Sequence, residues 1–485
     1  MGSVDVPLVR IDRYRWEIPQ SYKPGMRVPG LVYADEHLLS LIREEQALEQ
    51  VANVAFLPGI VGRSLAMPDI HWGYGFPVGG VAATRVEDGV VSPGGIGFDI
   101  NCGTRLLRTD LEVDDLEPRL EKLGESLFRN IPSGVGVSGR LRLDEAELQR
   151  VLQLGARWAV ERGYGTKEDL DLAEANGCLQ GADPAAVSEK AKDRGRPQLG
   201  TLGSGNHFLE VQAVERIYEP AVAAVMGLEQ PGQVVVFIHT GSRGLGHQVC
   251  QDFLGTMDRV TKRHGFNLPD RQLACAPITS AEGQSYLAAM AAAANFAWAN
   301  RQCITHWVRE SFQQVFGLPR LGEGLRLIYD VAHNIAKIEE HEVDGKRLRV
   351  CVHRKGATRA FPPGHPEVPA RYQGTGQPVL IPGDMGRYSY VAVGCQRAME
   401  ETFGSTCHGA GRVQSRSAAK RNLRGVDIAG ELASRGILVK AHSPHLLAEE
   451  ASEAYKDVAE VMEVVDKAGL CRTVARLKPL LVVKG

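Results

Sequence analysis

Four histidines in this chain stand where a strand-like run meets a glycine-rich or polar loop, and this recurrence limits the fold more than any other feature. His207 follows Gly203-Ser204-Gly205-Asn206 and opens the run 208–211, whereas His239 closes the apolar run 234–238 ahead of Thr240-Gly241-Ser242-Arg243. His333 sits beside the end of the run 325–331, and His408 precedes Gly409-Ala410-Gly411. One such histidine is most simply a hydrogen-bonded structural residue. Four together favour a site, because loops at the ends of regular elements are where functional side chains are presented.

The rest of the chain fits a mixed α+β fold with central β-sheets flanked by helices, in one large domain spanning 1–485. A hairpin is expected around Glu87-Asp88-Gly89, leading into a glycine-rich loop, and a second hairpin at Asp344-Gly345. Helical periodicity runs through 118–162, 185–194, about 247–257 and 451–465, where Tyr455 fits the apolar spacing. A further helix is expected to open over 334–340, and a final strand at 480–483. The Ala-rich stretch 286–308 is long enough to raise a membrane span. Asn295, Asn300, Arg301 and Gln302 interrupt it, so it reads as a buried helix of a soluble protein.

The 485 residues are 44% hydrophobic and 24% charged with a formal charge of -2, which excludes a basic tail and requires any nucleic acid to be met by a local patch. Residues 1–23 carry no uninterrupted apolar stretch of the export type. Nine cysteines, an odd number without CxxC pairing, fit a reducing cytoplasm.

Asp99 and Cys102 lie three apart in Gly97-Phe98-Asp99-Ile100-Asn101-Cys102-Gly103, and a turn or bulge is needed to bring them to one side. With the histidines they make a mixed oxygen, sulfur and nitrogen donor set suited to zinc, manganese, iron or cobalt, and a thiolate can bridge two ions. Ligand identity does not choose among these metals. Gly241-Ser242-Arg243-Gly244-Leu245-Gly246 could offer backbone N–H groups to phosphate, yet it is neither GxGxxG nor a P-loop. No KxDG occurs, so a covalently carried nucleotide would fall to histidine. Arg243, His353, Arg354, Lys355, Arg412, Arg416, Lys420 and Arg421 are the basic residues placed to meet phosphates, although scattered solvated charge is the simpler account of each alone.

Taken together, these segments resemble the RtcB family of RNA ligases along nearly the whole chain. The motifs carrying the likeness are Met67-Pro68-Asp69-Ile70-His71-Trp72-Gly73-Tyr74-Gly75-Phe76-Pro77-Val78-Gly79-Gly80, Asp99-Ile100-Asn101-Cys102-Gly103, Gly203-Ser204-Gly205-Asn206-His207-Phe208-Leu209-Glu210, His239-Thr240-Gly241-Ser242-Arg243-Gly244, Ala332-His333-Asn334 and Cys407-His408-Gly409-Ala410-Gly411-Arg412. The resemblance implies two manganese ions bridged by Cys102 and completed by Asp99, His207, His239 and His333, with His408 as the nucleophile that takes GMP from GTP. It further implies that guanylate is held by Asn206, Phe208, Glu210, His333, Asn334, Pro382, Gly383, Asp384, Met385, Ser389, His408, Gly409, Ala410, Gly411, Tyr455 and Lys484. Asp384 departs from the small hydroxyl residue of some relatives. Expected partners are RNA, as tRNA halves or broken strands, GTP and an archease-type activator, with no membrane. A dinuclear metal phosphoesterase is the nearest alternative, and a non-catalytic metal-stabilised RNA-binding protein is a second.

Overall fold

A computed structural model describes residues 6–319 and 324–485 of the chain, without the side chains of 444–446. Its framework is two large sheets with helices against them, the mixed architecture the sequence predicts. The first sheet has seven strands, in the spatial order Val9–Arg10, Arg15–Ile18, Gly30–Tyr33, Ile60–His71, Val78–Arg85, Lys346–Lys355 and Asn334–Val343. The second runs Leu325–Ala332, Gly103–Glu112, Gln233–Thr240, Phe208–Ile217, Cys471–Lys484, Ser389–Gly394 and Pro378–Ile381, with Leu438–Ala441 pairing parallel to Cys471–Lys484.

The second sheet positions the site. Its first four strands are mutual antiparallel neighbours, with Gly103 opposite Ala332 and Thr240, and Phe208 opposite His239. In such an array the start of one strand lies beside the end of the next. The loops before Gly103 and Phe208 and after Ala332 and Thr240 therefore gather along one edge, and these loops carry the Asp99–Cys102 segment and the histidines.

The helix Ala281–Phe316 packs under this edge. Ser280 caps its N-terminus by accepting from the Gly283 N–H at 3.1 Å, and Gly317, at φ 75°, ends it in the left-handed conformation. Small alanines let it sit close to its neighbours, and the polar residues of its middle, Asn295, Asn300, Arg301 and Gln302, are fully buried and bonded. Asn300 accepts from the N–H groups of Gly200 and Thr201 at 2.7 and 3.0 Å and donates to the carbonyls of Thr201 and Gly241. Arg301 donates to the carbonyls of Asn101 and Thr240 at 2.8 and 3.0 Å. Among the described residues no helix is long and apolar enough to cross a membrane.

Several local expectations need correction. Residues 334–340 are not the start of a helix but part of the edge strand Asn334–Val343. The helical stretch 118–162 breaks into Leu120–Asn130, Glu145–Leu154 and Ala156–Glu161, and 185–194 narrows to Glu189–Gly195 after a short 3-10 turn. The helix expected over about 247–257 extends from Arg243 to Arg263. Tyr455 lies outside the helix Val458–Lys467, in extended backbone paired with Arg412.

Candidate active site

The segment before Gly103 bends as its chemistry requires. The Cys102 N–H donates to the Asp99 carbonyl at 2.9 Å, and Asn101 takes a positive φ of 54° inside this turn. Both side chains then face His207, whose Nε2 lies 2.8 Å from Asp99 Oδ2 and 3.4 Å from Cys102 Sγ. On the other side of the same sulfur stands His239 Nε2 at 3.3 Å, itself 3.2 Å from His333 Nε2. The His333 N–H donates to the Cys102 carbonyl at 2.9 Å, tying the two loops together.

Two donor trios result, Asp99/Cys102/His207 and Cys102/His239/His333, each with its ligand atoms within 4.8 Å of one another and with the Cys102 sulfur common to both. Their protonation states suit a cation. Burial, reinforced by nearby positive groups, holds His239 and His333 well below the usual imidazole range, so both are neutral donors at neutral pH. Burial raises the Asp99 carboxyl, but His207 and Arg243 outweigh it and leave the group ionised. Burial and the Asp99 charge push the Cys102 thiol far up, so only a cation at this position would make thiolate its natural form.

His408 follows the short strand Ser405–Cys407 and packs against His333, with ring centroids 4.9 Å apart. Its Nδ1 lies 2.6 Å from Asp69 Oδ2, and the same oxygen accepts from the backbone N–H groups of His408 and Gly409 at 3.0 and 3.3 Å. Asp69 is fully buried. Burial raises its carboxyl, but His408 and Lys456 more than offset this and keep it ionised. An ionised carboxylate can only accept, so the His408 Nδ1 carries a proton, and Nε2 is the ring nitrogen not engaged by Asp69. Gly411, at φ +72°, fits here because a Cβ would fall 2.1 Å from the Asp69 carbonyl oxygen.

These groups open into a cavity of about 390 Å³. Of the residues expected to hold guanylate, Asn206, Phe208, His333, Asn334, Pro382, Gly383, Asp384, Met385, His408, Gly409, Ala410, Gly411, Tyr455 and Lys484 line it. Glu210 and Ser389 do not; they lie behind the wall, joined through Gln212, whose Nε2 donates to Glu210 at 2.6 Å and to Ser389 Oγ at 3.0 Å. Burial lifts the Glu210 carboxyl to about 8. Asp384 is buried too, accepting from Gly386 N–H at 3.0 Å and from Ser452 Oγ.

The basic candidates divide. Lys355, Arg412 and Arg416 line the cavity, and Arg243 donates to His207 Nδ1 at 3.0 Å. Lys420 pairs with Glu449. His353 and Arg354 cannot meet phosphate: both are fully buried, His353 accepting from Ser92 N–H and Arg354 gripping both Glu339 oxygens at 2.6 and 2.8 Å. Two residues escape a reading by loops. Asp69 is a single carboxylate inside an apolar strand, and its only advertisement is the Pro68-Asp69-Ile70-His71 string. Glu450 anchors Arg412, Arg416 and the Tyr455 hydroxyl from the turn after the helix Pro444–Glu449.

A histidine oriented by a carboxylate, set against two donor trios in one cleft, is the equipment of an enzyme. The family model described as tRNA-splicing ligase RtcB matches residues 50–485. The chain is 61% identical to the tRNA-splicing ligase RtcB of Archaeoglobus fulgidus over 478 residues, 57% to that of Thermococcus kodakarensis over 480 and 54% to that of Pyrobaculum aerophilum over 484. These alignments cover 99% of this chain and 99%, 99% and 100% of the three relatives. The chain belongs to the RtcB family, a family of ligase enzymes.

Proposed function

We propose that the protein is a GTP- and manganese-dependent RNA ligase that joins RNA 2',3'-cyclic phosphate or 3'-phosphate ends to 5'-hydroxyl ends. It would act in the cytoplasm, in tRNA splicing, RNA repair or both, as one catalytic domain over 1–485, with an archease-type protein as a candidate activator. The observation that carries this reading is the Asp69-oriented His408 ring lying against His333, a member of the donor trio that shares Cys102 with the second trio.

The donor set fits two divalent ions: Asp99, Cys102 and His207 would hold one, and Cys102, His239 and His333 the other. Bound there, manganese would neutralise phosphate charge and acidify an attacking hydroxyl. His408 Nε2, the nitrogen not engaged by Asp69, attacks the α-phosphorus of GTP, and the bond to the departing pyrophosphate breaks. The Nδ1 proton stays between the ring and Asp69, whose charge balances the imidazolium that forms. Water first opens a cyclic phosphate to the 3'-phosphate, whose oxygen then takes the guanylate as the Nε2–P bond breaks. The 5'-hydroxyl of the second strand displaces GMP and leaves a phosphodiester. Splitting the reaction in this way gives each step a good leaving group.

Guanylate would lie along Asn206, Phe208, Asn334, the Pro382–Met385 turn, Gly409–Gly411, Tyr455 and Lys484. Glu210, held behind them with Ser389, would accept from the guanine N1 and N2 donors, which adenine cannot supply. Intact-mass spectrometry after incubation with GTP and manganese tests the reading. A GMP adduct that is absent from His408→Ala supports the ligase, and an unmodified wild-type protein that hydrolyses phosphate esters would establish the phosphoesterase instead.

A further inference from the structure

Beside the reactive centre the cavity has an aromatic wall for which guanylate binding gives no role. Phe98, the residue before Asp99, stacks on His247 with centroids 4.9 Å apart and planes at 27°. Tyr74 meets Phe98 edge-on at 5.5 Å and 68°. Tyr74 and Phe98 line the cavity and are only half-buried, whereas Phe76, two residues beyond Tyr74, is fully closed off in the core. Rings that served packing alone would be covered as Phe76 is.

The loop that presents Tyr74 is held from three directions. Gln50 exchanges hydrogen bonds with the Gly73 backbone at 2.6 and 3.0 Å, Gln272 accepts from the Gly75 N–H at 2.9 Å, and the Lys355 ammonium donates to the carbonyls of Tyr74 and Phe76 at 2.6 and 2.9 Å. A ligand meeting this wall has little ordering left to drive. Trp72, in the same loop, is 49% exposed, and Arg194 is fixed on Gln248 at 2.9 Å, next in sequence to His247. Aromatic faces flanked by cations are how proteins hold single-stranded nucleic acid, because every base has a π-face and every linkage a negative charge.

Resting on the reading of the chain as an RNA ligase, the geometry points to the Tyr74–Phe98 wall, with His247 stacked on Phe98, as a subsite that stacks the terminal nucleobase of an RNA end. Seated there, the base would direct its own terminal hydroxyl or phosphate towards Asp99 and Cys102, since Phe98 and Asp99 are consecutive. The recognition is for a base as such, without sequence preference.

The test uses the full chain and two short RNAs, one ending in a 5'-hydroxyl and one in a 3'-phosphate, each with 2-aminopurine or an abasic residue at that end. Binding should quench the 2-aminopurine of at least one strand, and the responding strand is the one seated on the wall. For that strand Tyr74→Leu should weaken binding about tenfold and abolish the quench, while Tyr74→Phe keeps both. The abasic strand should bind wild type about tenfold more weakly and be indifferent to Tyr74→Leu. GMP attachment, which needs no RNA, should be unchanged in Tyr74→Leu and reports on the ligase reading by itself. Equal affinity of base-bearing and abasic strands for the wild-type protein overturns the subsite, as does a Tyr74→Leu protein that needs more GTP for attachment but binds RNA normally. Because fluorescence requires no turnover, a failure of stacking and a failure of ligation are read separately.

Discussion

The two halves of the cavity are built on opposite principles. Behind the donor trios lies a dry ionic network: Arg105 and Arg301 both donate to Asp330, at 2.7 and 2.8 Å, with all three side chains fully buried. On the side proposed for the nucleotide, Arg416 of the cavity wall pairs with Glu450, and Lys420, which does not line the cavity, pairs with Glu449, each keeping about half of its side chain in solvent. The first half ties the donor-bearing loops to buried charge, since Arg301 also donates to the carbonyls of Asn101 and Thr240. The second presents charges that exchange partners with water, which suits a ligand that enters and leaves in every cycle.

If that division holds, each half should fail separately. Cys102→Ala removes the donor both trios share and is expected to lose bound metal and ligation together, whereas His408→Ala should keep its metal and lose GMP attachment entirely. Both should cost activity on the order of 10⁴-fold or more. Metal analysis alongside intact mass checks this, and metal loss from His408→Ala would mean that the halves are one unit.

Next in size is a change that breaks only the scaffold. Asp330→Asn leaves two guanidinium groups buried against a neutral partner and should destabilise the fold by about 3–5 kcal/mol in urea titration. Lys420→Ala, on the half-exposed pair, should cost no more than about 1 kcal/mol. Comparable losses would erase the contrast between dry and wet halves.

Asp69→Asn probes the junction. The His408 ring and two backbone N–H groups all converge on one Asp69 oxygen, so an asparagine carbonyl can take its place and keep the ring in its tautomer. What disappears is the charge that balances the imidazolium. GMP attachment in single-turnover kinetics should slow on the order of 10²-fold with GTP affinity retained, less than in His408→Ala. A loss as complete as that of His408→Ala would mean that Asp69 sets the ring's position as well.

How far these features could be read from the chain depends on what each strand buries. The sheet edge was legible because Val234 to Ile238 is an uninterrupted apolar run ending on His239. The glycines around Asp99 and Cys102 likewise announced their turn. Asn334–Val343 was not legible as a strand, because its inward face carries Lys337, Glu339 and His341 and its outward face includes Ile338, inverting the usual alternation. Lys337 pairs with Glu174 and Glu339 with Arg354, partners more than ten residues away that no local window contains, and His341 in turn bonds Glu339. Asp69 was hidden in the same manner, since its role appears only once His408 is folded against it.

The smallest expected effect tests whether the nucleotide half tunes itself to its ligand. Glu210 carries a carboxyl raised to about 8 from an ordinary value of 4.5, the work of burial behind the cavity wall. It holds its proton until pH approaches 8, and a protonated carboxyl is a poorer acceptor for two guanine N–H donors. Guanosine nucleotide affinity should therefore rise with pH, by about tenfold between pH 6.5 and 8.5, and isothermal titration of GMP would register it. Stability of the unliganded protein runs the other way: the unfolded chain releases this proton near 4.5 and the folded one near 8, so stability falls as pH climbs between those values. Glu210→Gln should flatten both profiles and weaken discrimination against adenine nucleotides. A pH-independent affinity in the wild-type protein would mean that guanine is read by groups other than Glu210, and would leave the wall in front of it as the whole of the base pocket.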